Sequence, residues 1–128
     1  MIVVDASALV DALTGVGVAT DRLSDERLVA PALLDAEVGS VIRRKWMSGH
    51  LDAVLADGAI AYLPALEILR FEHRTLIPRA WELRHNVSFT DGLYLALAEQ
   101  LDIPLVTFDA RMAATPGIKA SVEVLRRS

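Results

Sequence analysis

The stretch LVTFDARM, residues 105–112, reads as a short apolar strand that runs into an aspartate where the chain must turn. An acid in that place is common, because Asp suits turns and helix caps. The same pattern opens the chain, however: in MIVVDASALV, residues 1–10, Ile2, Val3 and Val4 run into Asp5. Further apolar runs of strand length occur at Leu28–Ala30, Leu66–Leu69 and Val122–Leu125, with helically spaced segments between them. Strands alternating with helices predict βαβ units and an α/β fold: a three-layer α/β/α sandwich with a central, mostly parallel sheet. Ligands of such sheets bind beyond the carboxyl ends of the strands, where strand order reverses. Asp5 and Asp109 stand at two such ends, and on neighbouring strands they would face one crevice.

The clearest helix is expected from Pro31 to about Met47, with Leu34, Val38, Val41 and Ile42 as its apolar stripe and Gly49 placed to end it. Others are expected over Leu51–Tyr62, His73–His85 and Thr90–Leu101. No repeat, low-complexity tract or linker interrupts the chain. Its 128 residues fit a single domain, 1–128, large enough to bury a core unaided.

There is no cysteine, which excludes thiolate zinc sites and thiol catalysis. Asp5 and Asp11 interrupt the apolar start, which has no basic leading segment, so a signal peptide is not expected. No apolar run is long enough to span a bilayer. A soluble, cytoplasmic protein without membrane association is therefore expected. Hydrophobic residues make up 53% of the chain and mean hydropathy is +0.38, high enough to predict that another chain covers part of the surface. Net charge is −4 and the pI near 5.3, the wrong sign for holding nucleic acid by bulk electrostatics. A nucleic-acid substrate would need local reversal of that repulsion, and metal ions would supply it.

Four acids repay attention, each with an ordinary explanation beside it. Asp5 can cap the helix after the first strand, or be fixed by a hydrogen bond from Ser7. Glu37 flanks the apolar stripe of its helix, where a stem can pack while the head reaches water. Asp91 lies in a first helical turn, and Ser88-x-x-Asp91 can form a capping box. Yet Tyr94, Leu95 and Ala98 share its face, so it points toward packed structure. Asp109 is an ordinary turn residue, or shares one side of its strand with Thr107. Together the four can converge, two from strand ends and two from covering helices. Carboxylates about 5 Å apart repel by roughly 3 kcal/mol per pair at an effective dielectric of about 20. Such a cluster requires protons or divalent cations, and oxygen donors select Mg²⁺ or Mn²⁺.

Other chemistries are less well served. His50, His73 and His85 lack metal-site spacing, and there is neither a G-x-S-x-G elbow nor a Walker loop. The stretch GVGVAT, residues 15–20, has Thr20 where a dinucleotide fingerprint needs its third glycine and follows a helix rather than a strand.

In the pieces IVVDASAL, APALLDAEVGSVIRR and SFTDGLYLALAEQLDIPLVTFDARM, which span nearly the whole chain in order, the sequence resembles a PIN domain, specifically a VapC-type toxin ribonuclease of a bacterial toxin-antitoxin pair. The resemblance implies a Mg²⁺- or Mn²⁺-dependent endoribonuclease whose acidic quartet falls on Asp5, Glu37, Asp91 and Asp109 and whose supporting hydroxyls fall on Ser7 and Thr107. It also implies inhibition by a small VapB-type antitoxin inserted into a groove, and a homodimer. Gly92 stands where alanine is more usual, and residues 52–81 carry no motif of the family. Local cations would have to supply RNA affinity: Arg44, two turns beyond Glu37, either tracks phosphates or ends its helix in solvent, and Arg111 is the other basic candidate. Within the same fold a DNase, an RNA-maturation nuclease or a catalytically silent protein-binding domain are the alternatives. A phosphoryl-accepting receiver lacks its acidic pair and its lysine here. In EDTA, Asp109→Asn is expected to preserve or raise the melting temperature if the acids repel.

Overall fold

The structure is a computed structural model, which describes residues 1–127. A five-stranded sheet carries the order β3-β2-β1-β4-β5, with β1 Ile2–Val4, β2 Leu28–Pro31, β3 Ile68–Phe71, β4 Leu105–Thr107 and β5 Val122–Val124. Every pairing is parallel. The chain moves outward from β1 through β2 to β3, then returns to place β4 on the other side of β1. Strand order therefore reverses between β1 and β4, whose register pairs Val3 with Leu105 and Val4 with Val106.

β1 is buried along its whole length, as an apolar strand covered on both faces must be. α6, Phe89–Leu101, packs on β1, β2 and β4, and α5, Ile77–Glu82, lies against α6. α1, Ala6–Leu13, packs with α2, Gly17–Leu23, with α3, Leu34–Met47, and with α4, Ala53–Tyr62. A short α7, Ala110–Ala113, follows β4. Leu93, Leu95 and Leu97 of α6 join Ile2, Val3, Val4, Leu105 and Val106 in the continuous core.

Several expected boundaries move for local reasons. Pro31 stays in β2, aligned with Phe71, so α3 begins only at Leu34, while Gly49, with φ +79°, ends it as anticipated. The helix expected over His73–His85 contracts to the six residues Ile77–Glu82, because Pro78 fits only a first turn. α2 and α7 were not anticipated, and α2 occupies part of the GVGVAT stretch.

Asp11 of α1 is 2% exposed. Arg127 donates to its Oδ2 from Nε at 2.9 Å while stacking on Phe108, 4.1 Å from the ring centre. This contact ties the segment after β5 to α1 and to the residue next to Asp109. No helix among the described residues is long and apolar enough to cross a membrane.

Candidate acidic site at the strand-order switch

Asp5 leaves β1 at the switch point and caps α1, its Oδ1 accepting the Ala8 N–H at 3.1 Å. The Ser7 hydroxyl donates to the same oxygen at 2.7 Å, and the Thr107 hydroxyl donates to Oδ2 across the β1–β4 pair. Thr107 also accepts the Asp109 N–H at 3.0 Å, and Ser7 accepts the Phe108 N–H at 3.1 Å. Two hydroxyls thus join the ends of β1 and β4. Burial pushes the Asp5 carboxyl up, more than these donors pull it down, and Asp91 adds repulsion.

α3 and α6 bring Glu37 and Asp91 to the same end of the sheet. Tyr94 is buried, and its hydroxyl donates to Glu37 Oε1 at 2.6 Å. Glu37 is nonetheless raised, by burial first and then by Asp91 and Asp5. At α6, Ser88 caps the helix by accepting the Asp91 N–H at 3.2 Å, which realises one half of the expected box. Burial raises the Asp91 carboxyl, with a further push from Asp109.

Asp109 differs from the other three. It caps α7 and receives Arg111 in a fork, Nε to Oδ1 at 3.1 Å and Nη2 to Oδ2 at 3.0 Å. The guanidinium holds its carboxyl below the usual range. Arg111 is thus paired with an acid, while Arg44 is exposed, without an ion-pair partner among the described residues, and lines a 390 Å³ cleft beside Glu37, Val41 and Thr90.

All four acids therefore belong to one electrostatic neighbourhood: Asp5 feels Asp91, Glu37 feels both, and Asp91 feels Asp109. They form a chain of neighbours. Among the described residues no three acid or imidazole groups converge tightly enough to hold one ion as they stand. The donor set still suits a hard divalent cation, being all oxygen. Asp5, Glu37 and Asp91 carry raised carboxyls with no cationic side chain hydrogen-bonded to them, a deficit of positive charge such an ion would fill.

Two contributors escape sequence reasoning. Tyr94 on an apolar helix face resembles core, and only its i+3 offset from Asp91 hints at more. His73 lies in the segment without motif, yet its Nε2 accepts the Leu33 N–H at 3.1 Å, just before α3 begins.

The PIN domain family model matches residues 2–118, and the chain belongs to that family. Within it, the chain is 46% identical over 129 residues to Ribonuclease VapC1 of Mycobacterium tuberculosis, covering 97% of each. Its fold is similar to PAE2754 from Pyrobaculum aerophilum, with a TM-score of 0.70 and 24% identity over 96% of this chain and 83% of that one. It is also similar to M. tuberculosis VapC20, described as a sarcin-ricin loop cleaving toxin, with a TM-score of 0.68 and 21% identity over 92% and 96% of the two chains. With VapC relatives along its whole length, this is a toxin-antitoxin endoribonuclease, a hydrolase of RNA phosphodiesters. The family is in general dependent on divalent metal.

Proposed function

We propose that Asp5, Glu37, Asp91 and Asp109 are the catalytic and metal-binding residues and that the ion is Mg²⁺ or Mn²⁺. The observation that carries this reading is the gathering of four carboxylates from β1, α3, α6 and the end of β4 at the strand-order switch. Asp5 and Asp109 are the principal ligands. Bound there, a divalent ion would supply Lewis acidity, neutralising phosphodiester charge and making a water easier to deprotonate. Ser7 and Thr107 fix the Asp5 rotamer and Tyr94 fixes Glu37. Glu37 and Asp91 would bind a second ion or orient coordinated water. Arg44 and Arg111 flank the acids and can bind the RNA backbone, offsetting the chain's negative charge.

A VapB-type antitoxin is the proposed partner, in the cytoplasm. The exposed Trp46, Val54, Leu55, Ile60 and Tyr62 of α3 and α4 support cover by another chain, and a homodimer is proposed as the toxin's own assembly. Wild type and Asp5→Asn, expressed without antitoxin in a bacterium, test the reading when growth is followed and RNA ends are sequenced. Arrest by the wild type alone is expected, with 5′-phosphate and 3′-hydroxyl ends; cyclic 2′,3′-phosphates would contradict the mechanism.

A further inference from the structure

Beside Asp91 and Asp109 lies a cleft of about 340 Å³ whose far wall, formed by Asn86, Val87, Met112 and Thr115, has no part in the chemistry above. Its volume is at the lower end of small-ligand sites, suited to one planar ring system.

Asn86 is built into this wall. Its Nδ2 donates to the Pro116 carbonyl at 3.1 Å. A carbonyl can only accept, so the amide's NH₂ end faces Pro116 and its Oδ1 has no partner among the described residues. The loop carrying that carbonyl is held in turn. Arg79 donates to Gly117 O at 2.7 Å while it forks Glu99 at 2.8 and 3.2 Å, and Glu99 accepts the Lys119 N–H at 2.7 Å. In the same wall, the Thr115 hydroxyl donates to Arg111 O at 3.0 Å. An asparagine on an exposed loop ordinarily turns freely. Here one hydrogen bond orients the amide and leaves an acceptor oxygen on a residue that lines the cleft with Asp91 and Asp109.

We propose that this cleft is a subsite for the nucleobase adjoining the scissile phosphate, and that Asn86 Oδ1 reads that base by accepting a hydrogen bond from its exocyclic amine. The proposal rests on the assignment of Asp91 and Asp109 to the nuclease centre. Half-buried Val87 gives the base apolar surface, as single-stranded RNA recognition commonly requires for splayed bases. Cytosine presents an amine where uracil presents a carbonyl oxygen. Uracil would set oxygen against oxygen and leave Oδ1 unpaired, although the two bases are alike in size.

Digestion of a randomised single-stranded RNA pool in Mn²⁺, with the cut ends sequenced, tests this. The wild type is expected to cut about tenfold less often with uracil than with cytosine at one position flanking the cut. Asn86→Ala should abolish that ratio and leave preferences at other positions unchanged, a pattern that general loosening of the loop would not produce. Asn86→Asp keeps an acceptor oxygen but loses the NH₂ that anchors it on the Pro116 carbonyl, so it should weaken the bias. Absence of the bias in the wild type, or its survival in Asn86→Ala, would overturn the subsite. Cutting by Asp109→Asn at the wild-type rate would instead overturn the catalytic assignment beneath it.

Discussion

Asp5 and Asp109 do the same local work, each capping the helix that follows its strand, yet their protons behave in opposite ways. Burial outweighs the donors around Asp5, whereas Arg111 leads the effects that lower Asp109. The sequence-based expectation that Asp109→Asn spares or raises stability therefore moves to Asp5. In EDTA, Asp5→Asn keeps a capping oxygen and sheds a buried charge, so its melting temperature should rise. Asp109→Asn loses the Arg111 fork and should fall only slightly, because that pair is exposed and screened by solvent. Arg111 also competes with any cation for Asp109, so Arg111→Gln should bind Mn²⁺ several-fold more tightly in calorimetry. The pH dependence follows from the three raised carboxyls, Asp5, Glu37 and Asp91. The folded state holds their protons more firmly than the unfolded chain, so the stabilisation is complete below their ordinary pKa range and is lost as pH rises through the folded values. Thermal melts in EDTA should decline as pH rises above the ordinary carboxylate range, and saturating Mn²⁺ should reverse the trend.

At the scale of elements, Gly92 is where sequence and packing disagree. A glycine inside α6 weakens the helix by about 1 kcal/mol relative to alanine. A Cβ at that position would, however, meet the Cα, Cβ and carbonyl oxygen of Ala80 at 3.2 Å, so the missing methyl lets α5 lie close beside Asp91. Overpacking against backbone costs about 1–3 kcal/mol, and Gly92→Ala should lower the melting temperature, with Ala80→Gly restoring part of it in the double variant. Long periodic segments such as α3 and α6, and the short apolar strands, are legible because their faces repeat. α5 is overextended in the sequence reading because apolar spacing continues past the point where Pro78 restricts the helix. α7 has only four residues, too few to show a period. The candidate acids stand out because each sits beside a strand end or an apolar stripe. Tyr94 and Asn86 do not, since their significance lies in partners 57 and 30 residues away.

For the molecule as a whole, composition anticipates an incompletely covered surface, and Val54, 82% exposed on α4, is where that excess is plain. Light scattering of the isolated protein should give twice the chain mass of 13.9 kDa; a monomer would leave the antitoxin as the proposed cover. Asp11 could not be read as buried from sequence, because Arg127 lies 116 residues further on. The crossing that sets β4 beside β1 carries a different consequence. Asp5 meets the Thr107 hydroxyl 102 residues later in the chain, so the amino-terminal strand emerges from the ribosome long before its counterpart exists. Domains form as their sequence becomes available during synthesis, so the proposed acidic centre cannot assemble until β4 has joined β1.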